Sequence, residues 1–407
     1  MTAGKLRSGL LRCTVARRSV TIPALVLCAV LAAVILPIIG AFTIVGAPWS
    51  GAQDPDRHGY GGRRRALRLA AFTGVYLAAE CYGLIWATAL WMRKVIHWRM
   101  SADEYQHANY ALLARMLGWL YAAGESLSGL RILPPVEPGV LRSTEPTATP
   151  AISIATVAPE LPTGPLLVLS RHGGPGDSFL LVHALLVHGH RKPRIVLKDT
   201  LAFNPLIDVV LGRVPHCFIR PDPDNGERVA AEIGRLAEGM RPGDALLVFP
   251  EGGNFTPHRR IRAIDRLRRR GLRESANRAQ RLRYVLPPRP AGVFAAIDAM
   301  PGADVVFVAH TGLDHMQSFA DVWHGIPLAE PVEVTWWTVS ARQVPRETED
   351  RMRWLQDNWD KVDEWIGRHR TIEIEDPLAS PVSPVLQPVR QSADENVRAG
   401  AQYGAQQ

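Results

Sequence analysis

Two long apolar runs stand near the amino terminus, at residues 21–50 and 69–92. A helix rises about 1.5 Å per residue, so each run is long enough to cross the roughly 30 Å of hydrocarbon in a bilayer. The second run carries Glu80 near its middle, where a carboxylate is costly unless it faces another helix, a water-filled cleft or a headgroup. The pattern predicts a helical hairpin in the membrane, either transmembrane or re-entrant.

Basic residues flank both runs, with Arg17 and Arg18 before the first and Arg93 and Lys94 after the second. The segment between the runs is also basic, which blurs the charge asymmetry that normally orients a membrane protein. We expect a cell-membrane protein with both termini, and the domain that follows the hairpin, on the cytoplasmic side. A shallow hairpin that never fully crosses is an alternative, and a cleaved signal peptide is another, although it leaves the second run unexplained.

Beyond residue 150, short apolar runs alternate with segments of helical periodicity. Strands are predicted at residues 166–169, 195–197, 217–220, 245–249, 305–308 and 332–339. Helices are predicted at residues 177–187, 205–211 and 227–240, and a last one at 347–366. This alternation is typical of an α/β fold with a largely parallel sheet flanked by helices.

The chain is therefore expected to have five parts. They are a basic tail at 1–20, a membrane hairpin at 21–99, a connector helix and linker at 100–150, the α/β domain at 151–370, and a disordered tail at 371–407. The connector has apolar residues at helical spacing over 102–121, and the linker is rich in Pro and Thr. The last segment lacks hydrophobic periodicity.

The composition indicates what kind of molecule the protein binds. The 407 residues are 47% hydrophobic and carry a formal net charge of +8, which points to an anionic partner: nucleic acid, an acidic membrane surface or a phosphorylated substrate. The apolar runs favour the membrane, and no nucleic-acid-binding motif accompanies the charge. The four cysteines are far apart and show no C-x-x-C spacing, so neither a disulfide framework nor a metal site is expected.

A candidate catalytic pair follows the first predicted strand of the α/β domain. His172 and Asp177 are separated by four residues across a glycine-rich turn that leads into a helix. This spacing lets the carboxylate accept a hydrogen bond from one imidazole nitrogen while the other nitrogen faces a substrate hydroxyl, as in a general base with an orienting acid. Gly173, Gly174 and Gly176 leave backbone N–H groups open to an oxyanion or a phosphate.

A second polar turn follows the strand predicted at 245–249. It carries Glu251, Gly252, Gly253 and Asn254. Because the carboxyl ends of parallel strands meet at one edge of a sheet, the two turns are expected to form one site, with Glu251 pointing into the cleft.

These blocks, taken in order, resemble the glycerophospholipid acyltransferase family, which includes the lysophosphatidic acid acyltransferases. The resemblance is carried by His172 and Asp177 as a His-x4-Asp motif, by Lys198, Pro205 and Phe218-Ile219-Arg220, by Phe249 to Gly252 as Phe-Pro-Glu-Gly, and by Leu286-Pro287-Pro288-Arg289. It implies a fold like that of glycerolphosphate acyltransferases, with His172 deprotonating an acceptor hydroxyl that attacks an acyl thioester, and with Glu251 and Gly252 helping to bind the acceptor. The implied co-substrate is acyl-CoA or acyl carrier protein, with no cofactor and no metal, and the implied partners are membrane lipids and a lysophospholipid such as lysophosphatidic acid.

The chain departs from the family pattern after Glu-Gly, where Thr-Arg is usual and the arginine is thought to hold the acceptor phosphate. Here Gly253 and Asn254 occupy those positions. Arg171, Arg220 and Arg259 are the candidates to replace the lost charge, since guanidinium groups bind phosphates in a bidentate manner. A different lipid or glycolipid acceptor therefore remains an alternative, as does a catalytically silent lipid-binding protein of the same fold.

Two further features carry weaker hypotheses. Residues 259–283 contain eleven arginines with apolar residues at helical spacing, which is typical either of a solvated helix or of a surface for anionic headgroups or the phosphates of coenzyme A. His310 and His315 follow a predicted strand, where loop or core histidines are commoner than site residues. No G-x-S-x-G or Walker motif is present, which argues against a serine hydrolase or a nucleotide-binding enzyme.

Overall fold

The computed structural model describes residues 13–45, 62–96, 100–133, 161–174, 176–220, 226–314 and 319–370. The proline- and threonine-rich linker after residue 133, the tail expected at 371–407 and His315 lie outside the described residues. Residue 175, inside the glycine-rich turn, also lies outside them.

The centre of the protein is a six-stranded sheet with the order β3-β2-β4-β1-β5-β6. The strands are β1 (Leu166–Ser170), β2 (Lys192–Lys198), β3 (His216–Ile219), β4 (Asp244–Val248), β5 (Asp304–His310) and β6 (Val334–Val339). All neighbouring pairs are parallel except β5 and β6, which are antiparallel. The prediction of an α/β fold with a largely parallel sheet flanked by helices is confirmed.

Eleven α-helices accompany the sheet in the described residues. They are α1 (Thr14–Val45), α2 (Gly62–Ile96), α3 (Ala102–Ser128), α4 (Asp177–His183), α5 (Pro205–Leu211), α6 (Gly226–Ala237), α7 (Pro257–Arg269), α8 (Arg273–Arg281), α9 (Pro290–Ala299), α10 (Phe319–Gly325) and α11 (Thr348–His369). A π-helical turn, Ala184–His188, continues α4, and a 3-10 turn, Asp199–Phe203, precedes α5.

Each face of the sheet supports its own core, because successive side chains of a strand point to opposite faces. Leu167, Leu169, Leu246, Val305 and Phe307 belong to one cluster together with residues of α6, α9 and α11. The alternate strand residues belong to the other cluster: Leu166, Val168, Leu247, Val306 and Val308 pack with residues of α3 and α4. The central strands are buried on both faces, which explains their continuous apolar sequence.

Helix α3 is part of this core rather than a connector, which corrects the expected domain boundary. Tyr110 and Leu117 pack against the sheet, and the Tyr110 hydroxyl donates to the Pro193 carbonyl at 2.9 Å. The helix begins with a capping box in which Ser101 and Glu104 bond to each other's backbone. It ends at Gly129, whose φ of 70° is the left-handed conformation that favours glycine.

The helices α1 and α2 are the two described helices long and apolar enough to cross a membrane. None of the most apolar stretch of α1 is buried within the protein, as expected for a surface that faces lipid. Together they indicate membrane association. The basic tail expected at 1–20 is partly wrong, because α1 already begins at Thr14.

The base of this helical pair is held to the α/β domain by polar contacts. Arg17 and Arg18 both donate to the buried carboxylate of Asp208 in α5, with Arg18 Nε 2.8 Å from Oδ2. Glu80 is buried in α2 and accepts from Asn204 Nδ2 at 2.8 Å. Glu80 therefore bonds to Asn204, the residue that caps α5.

Candidate active site

The candidate site lies at the carboxyl edge of the sheet, between the turns that follow the adjacent strands β1 and β4. Phe255 donates its N–H to the His172 carbonyl at 2.7 Å, which joins the two turns directly. The Phe249 ring stacks on the imidazole of His172 with 4.4 Å between ring centroids. The sheet order, in which β1 and β4 are neighbours, is what brings together two blocks that are distant in sequence.

His172 and Asp177 form a hydrogen-bonded pair. Nδ1 of His172 lies 2.8 Å from Oδ2 of Asp177, whose side chain is 1% exposed, whereas that of His172 is 20% exposed. Asp177 is the first residue of α4, so the short turn folds its carboxylate back onto the imidazole. Burial acts to raise the pKa of Asp177, but the hydrogen bond from His172, with smaller contributions from nearby groups, outweighs it and lowers that pKa.

This geometry leaves the second imidazole nitrogen available for chemistry. An ionised Asp177 favours the tautomer with the proton on Nδ1, so Nε2 carries a lone pair. Among the residues that the structure describes, no group bonds to Nε2. The pair therefore has the form of a general base with an orienting carboxylate.

Glu251 binds the backbone of two segments and does not face the cleft. Its Oε1 accepts from the His172 N–H and its Oε2 from the Leu286 N–H, both at 3.0 Å. The residue is 1% exposed. Burial raises the pKa of Glu251 to about 8, against the lowering effect of the Arg171 charge. The expectation that its side chain points into the cleft is wrong, because a direct acceptor contact would require an exposed carboxylate.

Arg171 lies inside the protein, paired with an acid that the sequence analysis did not identify. Its guanidinium makes two contacts with the Asp314 carboxylate, one from Nη1 to Oδ2 at 3.1 Å and one from Nη2 to Oδ1. Nη1 also donates to the His310 carbonyl at 2.7 Å. With 1% exposure, the Arg171 side chain has no access to a substrate phosphate, which corrects its expected role.

His310, at the end of β5, lies beside Asp177 and the carbonyl of Arg171. Its Nε2 lies 3.1 Å from the Arg171 carbonyl and 3.8 Å from Oδ2 of Asp177. Burial, followed by the positive charge of Arg171, lowers the pKa of His310 and favours its neutral form. This residue supports the loop that carries His172. A histidine at the carboxyl end of a central strand was the signal for it in the sequence.

Gly173 and Gly174 allow close packing next to His172 and Asp177. A Cβ on Gly174 would lie 2.3 Å from the Leu313 carbonyl oxygen, and one on Gly173 would lie 2.9 Å from Nη1 of Arg171. The Gly174 N–H donates to Oδ2 of Asp177 at 3.3 Å. The expectation that this N–H is open to an oxyanion is therefore wrong. At Gly176 the φ of 104° requires glycine and a Cβ would meet open space.

Lys198 and Arg220 lie on the same edge but farther from His172. They end β2 and follow β3, the second and third strands away from β1. With about 4.8 Å between strands, they stand roughly 10 and 14 Å to the side. Arg220 pairs with Asp199 at 2.9 Å and keeps 59% of its side chain exposed. At these distances, Lys198 and Arg220 could contact a part of a substrate that lies away from His172.

The turn after Glu251 is lined by arginines. Arg259 Nη1 donates to the Asn254 carbonyl at 2.9 Å, and it would be 3.3 Å from a Cβ on Gly253. Gly252 has a φ of 68°, and a Cβ there would be 3.0 Å from the guanidinium carbon of Arg289. The basic segment expected as one element is two helices, α7 and α8, because Gly271 with a φ of 74° separates them.

Within the described residues there is no group of three or more His, Cys, Asp or Glu side chains arranged to hold a metal ion. The rings of His183 and His188 pack in a T-shaped arrangement with their centroids 5.8 Å apart.

Residues 150–311 match the family model described as Acyltransferase. This part of the chain is an acyltransferase-family domain. The match spans β1 to β5 and contains His172, Asp177 and Glu251. No curated protein and no solved structure matches the chain. The acyltransferase domain supports acyl transfer as the general activity, and the resemblance seen in the sequence is confirmed at the level of the family.

The family domain ends near β5, so several parts of the site come from outside it. Asp314, which neutralises Arg171, and α11, which packs against the sheet, follow the matched residues. Trp359 of α11 donates its indole N–H to the Leu286 carbonyl at 3.0 Å and so supports the segment that Glu251 binds. The acyltransferase site therefore depends on residues beyond the matched segment.

Proposed function

We propose that the protein is a membrane-bound O-acyltransferase that transfers a fatty acyl group from acyl-CoA, or from acyl carrier protein, to the hydroxyl of a lysophospholipid. The observation that carries the proposal is the hydrogen bond of 2.8 Å between His172 and Asp177, beside the Glu251 turn in an acyltransferase-family domain. Lysophosphatidic acid, which would become phosphatidic acid, is the acceptor proposed first.

In this mechanism Nε2 of His172 removes the proton of the acceptor hydroxyl as the oxygen attacks the thioester carbonyl. Asp177, ionised and buried, holds the imidazole in place and stabilises the imidazolium that forms. Collapse of the tetrahedral intermediate breaks the carbon–sulfur bond, and the imidazolium returns its proton to the departing thiolate. The acyl group passes directly to the acceptor, and no acyl-enzyme forms.

Membrane association supports a lipid acceptor. The outer surface of α1 is apolar, with Leu27, Val30 and Val34 each about half exposed or more, so the helix fits a lipid environment. The contacts of Arg17 and Arg18 with Asp208 place the domain next to the base of that helix. A lysophospholipid in the leaflet would then reach the site without leaving the membrane. We propose that the site lies on the cytoplasmic side of the cell membrane, where acyl-CoA is available.

The nearest alternative is the same chemistry with a neutral lipid or glycolipid acceptor. It is favoured by Gly253 and Asn254, which supply no charge at the turn after Glu251.

The proposal is tested by measuring thiol release from acyl-CoA by the detergent-purified protein, with lysophosphatidic acid, other lysophospholipids, monoacylglycerol and a glycolipid as acceptors. Acceptor-dependent release should fall by at least about 100-fold in His172→Ala, because positioned general bases contribute that much or more. His107→Ala, an exposed histidine of α3, is the matched control and should keep full activity. Release that survives His172→Ala would sink the mechanism, and no release with any acceptor would refute the proposed activity.

A further inference from the structure

Two guanidinium groups from different elements border the turn that follows Glu251. Arg289 precedes α9, and its guanidinium carbon would lie 3.0 Å from a Cβ on Gly252. Arg259, in the first turn of α7, lies beside Gly253. Any side chain at Gly252 would occupy the space next to the Arg289 guanidinium. The glycine therefore lets the Arg289 guanidinium lie directly against the turn.

The backbone holds Arg289 firmly against that turn. Its own N–H donates to the Pro250 carbonyl at 2.9 Å. Three residues earlier, Leu286 donates to Glu251 and accepts from Trp359, with both bonds at 3.0 Å. Because the guanidinium also packs against Gly252, it has less freedom to lose when it binds a ligand, which favours oriented recognition.

Among the described residues, Arg289, like Arg259 beside it, has no acidic partner, whereas other arginines of the domain do. Arg171 is paired with Asp314, and Arg278 with Asp357 and Asp360. In the described part of the chain, no carboxylate makes an ion pair with Arg289, and its side chain is exposed.

The neighbouring charges make the local field more positive. Partial burial, followed by the charges of Arg266 and Arg270, lowers the pKa of Arg289. Arginine stays protonated, so the repulsion among the three groups persists until an anion neutralises it. The turn that Arg289 and Arg259 border begins one residue after Glu251, which is bonded to the backbone of His172.

We propose that Arg289, with Arg259 beside it, binds the phosphate group of the acceptor lipid and so selects a phosphate-bearing lysophospholipid over a neutral one. The inference rests on the proposed function and specifies the substrate class of that site. The planar fork of a guanidinium binds two phosphate oxygens at once, and the bound headgroup would orient the acceptor hydroxyl toward His172.

The test compares lysophosphatidic acid with monoacylglycerol, which has the same acyl glycerol but no phosphate, in wild type, Arg289→Ala and Arg289→Lys. For lysophosphatidic acid, we expect Arg289→Ala to raise KM and lower kcat/KM by about 10- to 100-fold, the loss typical of a charge-assisted contact. For monoacylglycerol, kcat/KM should change by less than about threefold. Arg289→Lys keeps the charge but not the fork, so its loss should be intermediate.

Arg342→Ala is the matched control. Arg342 is an exposed arginine directly after β6, which runs antiparallel to β5, so it lies at the opposite edge of the sheet from His172. The Arg342→Ala substitution removes the same charge and should leave kcat/KM for both acceptors unchanged. An equal loss for both acceptors in Arg289→Ala would overturn the inference in favour of a structural role. A raised KM for acyl-CoA alone would overturn it in favour of the donor phosphates.

Failure of the inference is separable from failure of the proposed function. Wild-type turnover of monoacylglycerol but not of lysophosphatidic acid would overturn the phosphate assignment and leave acyl transfer intact. If no acceptor is turned over, equilibrium binding of lysophosphatidic acid in the same detergent still decides the matter. Binding that weakens about tenfold or more in Arg289→Ala but not in Arg342→Ala supports the site, and equal binding by all three proteins overturns it.

Discussion

Replacing Asp314 with asparagine removes the carboxylate charge that faces the buried guanidinium of Arg171. The substitution nearly preserves shape, so its effect measures the charge. Arg171 is 1% exposed, and the Asp314 side chain is 9% exposed, so water replaces little of the lost interaction. The pair joins the residue before His172 to the chain that follows β5.

The expected cost follows from this burial. Removing one partner of a buried ion pair leaves an uncompensated charge and typically destabilises a protein by about 3–5 kcal/mol. A loss of 1 kcal/mol shifts the thermal midpoint by roughly 2–4 °C in a domain of this size, so Asp314→Asn should lower the midpoint by at least about 6 °C. Because Arg171 is adjacent to His172, kcat should fall as well.

The assay is the thermal midpoint from tryptophan fluorescence in detergent micelles, followed by kcat with a fixed acceptor. Asp357→Asn is the matched control, because Asp357 pairs with Arg278 but its side chain is 62% exposed. Exposed pairs contribute about 1 kcal/mol or less, so this variant should lose less than about 4 °C.

A second variant separates lost charge balance from lost packing. Replacing both members, as Arg171→Met with Asp314→Leu, should recover most of the stability lost in Asp314→Asn, because apolar residues of similar volume often substitute well for a buried pair. Equal midpoints for Asp314→Asn and Asp357→Asn would refute the reasoning. A double variant less stable than Asp314→Asn would also contradict it.

Two further predictions concern the pH dependence of stability and the contact that holds α1 to the α/β domain. Burial raises the pKa of Glu251 from 4.5 to about 8 against the charge of Arg171, so the folded protein binds this proton more tightly than the unfolded chain does. The free energy of unfolding of wild type, relative to that of Glu251→Gln, should therefore fall as the pH rises from about 4.5 to about 8, by at most about 1.4 kcal/mol per pH unit, and stay level above pH 8. Urea unfolding at a series of pH values measures this difference. Parallel pH profiles for the two proteins would contradict the prediction. In Asp208→Asn, Arg17 and Arg18 lose the carboxylate they share, so trypsin should cleave after these arginines faster than in wild type. Mass spectrometry measures the cleavage, and acyl transfer should be retained. Unchanged cleavage would show that this contact does not hold α1.

Much of this protein is determined locally by its sequence. The periodicities that form α1, α2 and the strands involve neighbouring residues, so they are visible along the chain. The contact between His172 and Asp177 spans five positions and depends on one turn, so spacing alone predicts it. The glycine-rich turn and the polar turn after β4 belong to the same class, because each is carried by consecutive residues, and the family resemblance is a series of short blocks in a fixed order.

Only the tertiary structure decided which side chains face the cleft and which support it. Glu251 bonds to His172 across 79 positions and Arg171 to Asp314 across 143, because the sheet order places β1 between β4 and β5. A sequence shows that an arginine or a glutamate follows a strand, but it does not show toward which neighbour the side chain turns. That direction depends on burial and on partners supplied by distant segments, which is why Arg171 and Glu251 proved structural and why we propose Arg289 for the phosphate.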